Sequence, residues 1–184
     1  MIYQWKYQTP DGFSDMLMNS DGEYLTGLWF EDSGYTAKHV INGEQKELPV
    51  FQETTRWLDQ YFSGKNPDFT PKYRIKNLTA FREEVIGIMN EIPFGKTVTY
   101  GEIAGKIAEH RGLKRMSAQA VGGAVGWNPI CIIVPCHRVV GTNGSLIGYG
   151  GGMQNKIALL ALEGHDMSKF SIPSEQVNKK QINL

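Results

Sequence analysis

The densest apolar stretch of the chain, Pro129-Ile130-Cys131-Ile132-Ile133-Val134-Pro135, is seven residues long and closed by proline at both ends. It falls far short of the ~18 apolar residues that a membrane helix needs. Bracketing prolines suit an extended segment buried inside a folded domain. The rest is ordinary for a globular chain: 184 residues, 41% hydrophobic, 21% charged, with 21 glycines and two cysteines. Such a composition sets aside disorder, collagen and a disulfide-stapled miniprotein. The length allows one domain or two small ones, each with a buried core. The opening Met1-Ile2-Tyr3-Gln4-Trp5-Lys6 lacks the basic-then-apolar layout of a signal peptide. A soluble, cytoplasmic, reducing setting without membrane contact is the expectation.

The net charge is zero, but its distribution is uneven. Residues 1–70 hold five Lys and Arg against eleven Asp and Glu, whereas residues 71–170 hold twelve against seven. An acidic module joined to a basic one is implied, and only the basic one suits a phosphate backbone. A plain solvated surface explains the same counts equally well.

In the first module, Phe13 to Asn19 and Tyr24 to Phe30 flank Asp21-Gly22 and read as a β-hairpin. Phe51, Thr54, Leu58 and Tyr61 recur at helical spacing within Val50 to Phe62, and Gly64 ends that helix. The polar stretch from Lys65 to Pro71 is turn-rich and begins the connection between modules. The resulting layout is an α/β module over 1–70 with a small antiparallel sheet and a helix, a linker over 71–78, a mainly α module over 79–170, and a tail over 171–184 that reads as poorly ordered from Pro173 on.

The second module opens with a helix from Thr79 to Glu91 that buries Phe81, Val85, Ile88 and Met89. Thr99 and Glu102 form a capping box for a helix running to about His110. After a turn at Arg111-Gly112-Leu113, Ser117 caps a further helix, Ala118 to Val125. Two short helices joined by a glycine-containing turn make a helix-turn-helix candidate. Gly122 and Gly123 inside the second helix each cost ~1 kcal/mol relative to Ala. Tight helix packing accounts for them, and so does close approach to DNA. Of the side chains that read base edges this helix offers only Gln119, so contact with DNA would carry little sequence preference.

Cys131 and Cys136 would stand roughly 16 Å apart in an extended segment, too far for a disulfide. Cys131 reads as an inert core thiol. Cys136 ends the apolar run and is followed by His137 and Arg138, neighbours that favour the thiolate. Yet adjacent side chains on a strand point apart, and a structural histidine fits as well. A zinc site lacks its four ligands, and Gly148-Tyr149-Gly150-Gly151-Gly152 lacks the Gly-Lys-Ser/Thr of a phosphate loop, with Lys156 out of place.

Asn128-Pro129 followed by Pro135-Cys136-His137-Arg138-Val139-Val140 resembles the active-site signature of the alkylguanine-DNA alkyltransferases, also called methylated-DNA–protein-cysteine methyltransferases. The likeness extends over residues 79 to 164 and takes in Gly148-Tyr149-Gly150-Gly151 and Leu159-Leu160-Ala161-Leu162-Glu163-Gly164, while residues 1 to 70 match loosely. The resemblance implies a ribonuclease-H-like first module, no cofactor and no metal. It also implies a monomer acting on double-stranded DNA through the minor groove, with the damaged base flipped out. Cys136 would take the alkyl group from the guanine 6-oxygen, or the thymine 4-oxygen, and keep it.

By the same resemblance His137 would accept the thiol proton through a water, with Glu163 orienting the ring. Tyr100 would assist guanine departure, and Asn128 would tie the turn to the cysteine segment. Tyr149 would wall the pocket, Gly150 would offer its N–H, and Val139 its carbonyl. Ser117, Ala118, Gln119 and Ala120 would face DNA, and Arg138 would support structure. Gln119 stands where the family usually has an arginine inserted into the base stack, which implies weaker or less salt-sensitive engagement. Three rival readings are a non-catalytic sensor of alkylated DNA, a cysteine-modified helix-turn-helix regulator and a Cys-His hydrolase.

Overall fold

In the computed structural model, which describes residues 1–34 and 42–172, the first module is a four-stranded sheet with a helix packed on it. Its strands are β1 (Tyr3–Tyr7), β2 (Met16–Ser20), β3 (Leu25–Phe30) and β4 (Glu44–Gln45), in the order β3-β2-β1-β4. β1 and β3 flank β2 antiparallel, but β4 reaches β1 from later in the chain and runs parallel to it, so the sheet is mixed rather than the antiparallel one expected. The hairpin begins at Met16 because Phe13 to Asp15 lie in a loop, where Asp15 accepts the Thr9 backbone N–H. Its turn spans Asp21 to Tyr24, closed by the Asp21 carboxylate accepting the Tyr24 N–H, with Gly22 at φ +111°. Gly27 of β3 has the ring of Trp29 lying where any Cβ would stand.

Helix α1 (Pro49–Phe62) starts with proline at its first turn, where no N–H is required, and Gly64 follows its end at φ +81°. Its apolar face, including Phe51, Leu58 and Tyr61, is buried. The outer edge of β3 is paired along its length by backbone from later in the chain. Leu25 bonds Lys72 and Arg74, and Leu28 accepts from Cys131 and donates to Pro129. The cysteine segment is thereby stitched to the first module, and one apolar core runs through both.

The second module holds α2 (Ala80–Asn90), β5 (Val98–Thr99), α3 (Tyr100–His110), α4 (Ala118–Val125), β6 (Val139–Val140) and α5 (Met153–Leu162). Thr79 caps α2, the Thr99–Glu102 capping box forms at α3, and Ser117 caps α4. Phe81 is only half-buried, and Ile86 fills the α2 core face instead. β5 pairs in parallel with β6, which brings the start of α3 beside the segment after Cys136. The tail from Pro173 lies outside the described residues.

Residues 129–135 are not extended. Val134 N–H bonds the Ile130 carbonyl, Cys131 bridges Val134, and Ile132 sits at φ +69°. A β-branched residue in the left-handed region costs of order 1–3 kcal/mol and persists only where surrounding contacts impose it. Here Asn128 imposes it: its side chain bonds Ile130 N–H and the carbonyls of Ile130 and Val134. Cys136–Arg138 then form a single 3-10 turn, so Cys136 and His137 are not strand neighbours.

Candidate active site

The loop folds Cys131 back onto Cys136, and the two thiols hydrogen-bond to each other; both are free and buried. That corrects the 16 Å separation of an extended run, while Cys131 is a buried thiol that bears on its neighbour. Asn128 Nδ2 lies 3.1 Å from Cys136 Sγ. The Cys136 thiol is lowered to about 7, foremost by the Cys131 hydrogen bond. Burial opposes the shift, while Asn128, the Lys156 charge and Tyr149 add to it. Cys136 itself, and then burial, push the Cys131 thiol far the other way, so negative charge collects on a single sulfur.

A second cluster adjoins the first through the 3-10 turn. His137 Nε2 lies 2.6 Å from Glu163 Oε1. A carboxylate only accepts, so Nε2 carries the proton. Nδ1 has no hydrogen-bond partner among the described residues, which leaves it as the basic nitrogen. Arg138 grips both Glu163 oxygens and also donates to the Ile92 carbonyl, and the Gly95 N–H caps Oε2 at 3.0 Å. Burial works to raise the Glu163 carboxyl, yet His137 and Arg138 hold it far below the ordinary carboxylate range. Burial lowers His137, against the pull of Glu163 and with help from Arg138 and Lys156. A neutral imidazole beside a low thiol is an arrangement suited to proton transfer from sulfur.

Two residues of this site escaped the sequence reading. Tyr61, from α1, donates to Glu163 Oε1 at 2.7 Å and lies 3.2 Å from His137 Nε2. Lys156 of α5 is fully buried, donates to the Val139 carbonyl at 2.7 Å and is lowered to about 8 by burial. The signals were present: a tyrosine on a core helix face needs a partner for its hydroxyl. Lys156 and Glu163, seven apart, share the buried face of α5 with Leu159 and Leu160.

Beside this centre lies a cavity of about 460 Å³ lined by Tyr100, Gly101, Ala118, Gln119, Gly122, Gly141, Thr142, Ile147 and Gly148. It joins the start of α3 to the exposed face of α4 but is not lined by Cys136, Tyr149 or Gly150. The Tyr100 phenol donates to the Ile147 carbonyl, and burial, then the Cys136 charge, raises it to about 12. Ser117, Ala118, Gln119 and Ala120 are exposed, with the Ser117 hydroxyl engaged in capping. A Cβ at Gly123 would meet nothing, so internal packing does not require that glycine. Among the described residues no cluster of His, Cys, Asp or Glu has metal-holding geometry, and no helix is long and apolar enough to cross a membrane.

Residues 2–73 match the family model for the 6-O-methylguanine DNA methyltransferase ribonuclease-like domain, and residues 80–165 match that for its DNA binding domain. The methylated-DNA–protein-cysteine methyltransferase of Mycobacterium bovis is 46% identical over 163 residues, 89% of this chain and 93% of that one. The protein of that name from Haemophilus influenzae is 39% identical over 162 residues, 88% and 86% of the two chains. Mycobacterium tuberculosis OGT, solved in complex with DNA, superposes with a TM-score of 0.74 at 33% identity, covering 91% and 94% of the two chains. Two domain matches spanning nearly all described residues, together with these relatives, establish that the chain belongs to the 6-O-methylguanine DNA methyltransferase family.

Proposed function

We propose that the protein repairs DNA by direct reversal, moving an alkyl group from the 6-oxygen of guanine to the Cys136 sulfur. The observation that carries this reading is one buried sulfur lowered to about 7 next to a neutral imidazole whose Nε2 is fixed by Glu163. Cys136 Sγ gives its proton through a water to His137 Nδ1 and attacks the alkyl carbon. The carbon–oxygen bond breaks as the sulfur–carbon bond forms, and the electron pair stays on guanine. Tyr100 exchanges its bond to Ile147 for one to the departing base and supplies a proton there. A thioether has no ready hydrolysis route, so each molecule acts once.

The lesion oxygen lies inside the base stack, so the nucleotide must be extruded. The cavity between Tyr100 and α4 suits the path of that base toward sulfur. In this reading α3 and α4 act as a helix-turn-helix whose smooth α4 enters the minor groove, and Gln119 fills the gap left in the stack. Tyr149 and Gly150 border the bound base. The Val139 carbonyl, already accepting from Lys156, has a second lone pair for the guanine amino group. Alkylated thymine is a secondary substrate, the first module has a ribonuclease-H-like topology, and the protein acts as a monomer in the cytoplasm. Retention of Cys136 speaks against a non-catalytic sensor.

Incubation with a duplex containing 6-O-methylguanine should add one methyl mass to the peptide holding Cys136, with no more than one equivalent per protein. Cys136→Ser should abolish it. Methyl on Cys131, or unmodified protein after contact with damaged duplex, would overturn the reading.

A further inference from the structure

The first module reaches the His137–Glu163 pair through a hydroxyl, that of Tyr61. Tyr61 is fully buried, and its ring is fixed by Trp57 stacked at 5.4 Å and by edge contacts with Phe62 and Phe94. Packing thus aims the phenol before any substrate arrives. The hydroxyl lands between two groups far away in sequence, 2.7 Å from Glu163 Oε1 and 3.2 Å from His137 Nε2. Oε1 is the same oxygen that receives the His137 proton, so the tyrosine and the histidine compete for one acceptor.

We infer that Tyr61 is a positioning residue for alkyl transfer: its phenol, brought by the first module, moderates the Glu163 carboxylate and thereby sets how readily the His137 base is lost to protonation. The inference rests on the reading of Cys136 as nucleophile and His137 as its base. Each donor on a carboxylate draws electron density from it and weakens its hold on the next. Without the phenol, Glu163 binds an imidazolium more tightly, and the base is lost to protonation at a higher pH. The other groups facing this pair keep their places: Lys156 from α5, Arg138 and Cys136 from the 3-10 turn, the Gly95 N–H from the α2–β5 loop, and His165 just beyond the end of α5. Arg138 fixes Glu163 in space, which leaves Tyr61 to act on the strength of the pairing.

The test is the pH profile of single-turnover methyl transfer from a 6-O-methylguanine duplex, with the mass on Cys136 read in every sample. Tyr61→Phe keeps the ring and should move the acid limb up by about one pH unit. Incorporating 3-fluorotyrosine at position 61, a stronger donor of nearly the same size, should move the limb down. Tyr7→Phe is the control, since it removes another hydroxyl of the same module, one bonded to Asp59, and should leave the limb in place. An acid limb unmoved in both position-61 proteins overturns the inference even where stability or plateau rate falls. If Tyr61→Phe does not fold, the fluorotyrosine protein decides alone. Absence of methyl on Cys136 in the unmodified protein would instead remove the reading on which it rests.

Discussion

Arg138 and Glu163 face each other in a two-pronged ion pair, Nε 2.9 Å from Oε2 and Nη2 3.0 Å from Oε1, with the carboxylate wholly out of solvent. Burying two charges is costly, and a pair of this kind holds only while both partners are present. It links the end of α5 to the last residue of the 3-10 turn, so it joins the helix to the cysteine segment.

Glu163→Gln should therefore cost about 3–5 kcal/mol of stability at neutral pH, because Arg138 is left buried without a counter-charge. The folded carboxyl is held below its unfolded value of ~4.3. Its contribution is thus complete above that pH and lost as the pH falls toward the folded value. Denaturant titrations at several acidic pH values should show a steep decline for the natural protein and a shallower one for Glu163→Gln. Parallel declines would refute the assignment.

The Cys136 thiol at about 7 should appear as a single thiolate absorbance step near that pH, removed by Cys136→Ser. Cys131→Ala should raise the midpoint most, since the Cys131 hydrogen bond is the leading cause, and Lys156→Met should raise it less. A step near the ordinary thiol value of ~8.5 in the natural protein would show that the buried sulfur is not activated.

The site was legible where chemistry follows local pattern, and hidden where it depends on distant chain segments. Caps at Thr99 and Ser117 marked two helices in the sequence because each satisfies its own helix N–H groups, while Thr79, read as the first residue of its helix, proves to be the cap. β1 gave no such signal; it exists because β2 pairs with it. The segment before Cys136 misled, since proline-bracketed apolar residues read as extended while Asn128 bends them through backbone bonds that no periodicity records. Cys136, His137, Glu163 and Asn128 were named by resemblance, and the structure does bring them together. Tyr61 was counted only as a core residue, which it also is.

Gln119 is exposed and lines the cavity beside Tyr100. Gln119→Arg should tighten binding to duplex DNA and steepen the salt dependence of log affinity by about one unit, the signature of one added phosphate-range cation. Equal affinity and slope for both proteins would mean that this position stays clear of the nucleic acid.

Gly123 has open space where a Cβ would go, so Gly123→Ala should leave the free protein as stable or up to ~1 kcal/mol more stable. The same methyl should weaken DNA binding if α4 lies against the duplex. Thermal melts and titrations on one preparation separate the two effects, and unchanged affinity would place α4 away from DNA.

A sulfur that serves once gains from being out of reach. Cys136 is 1% exposed, and it is not among the residues that line the cavity beside it. Such burial shields the thiol from small alkylating reagents diffusing through water, so the compounds that inflict the lesion spend the acceptor less readily. In the repair proposed above, spending of each molecule is thereby biased toward damage already fixed in a polynucleotide.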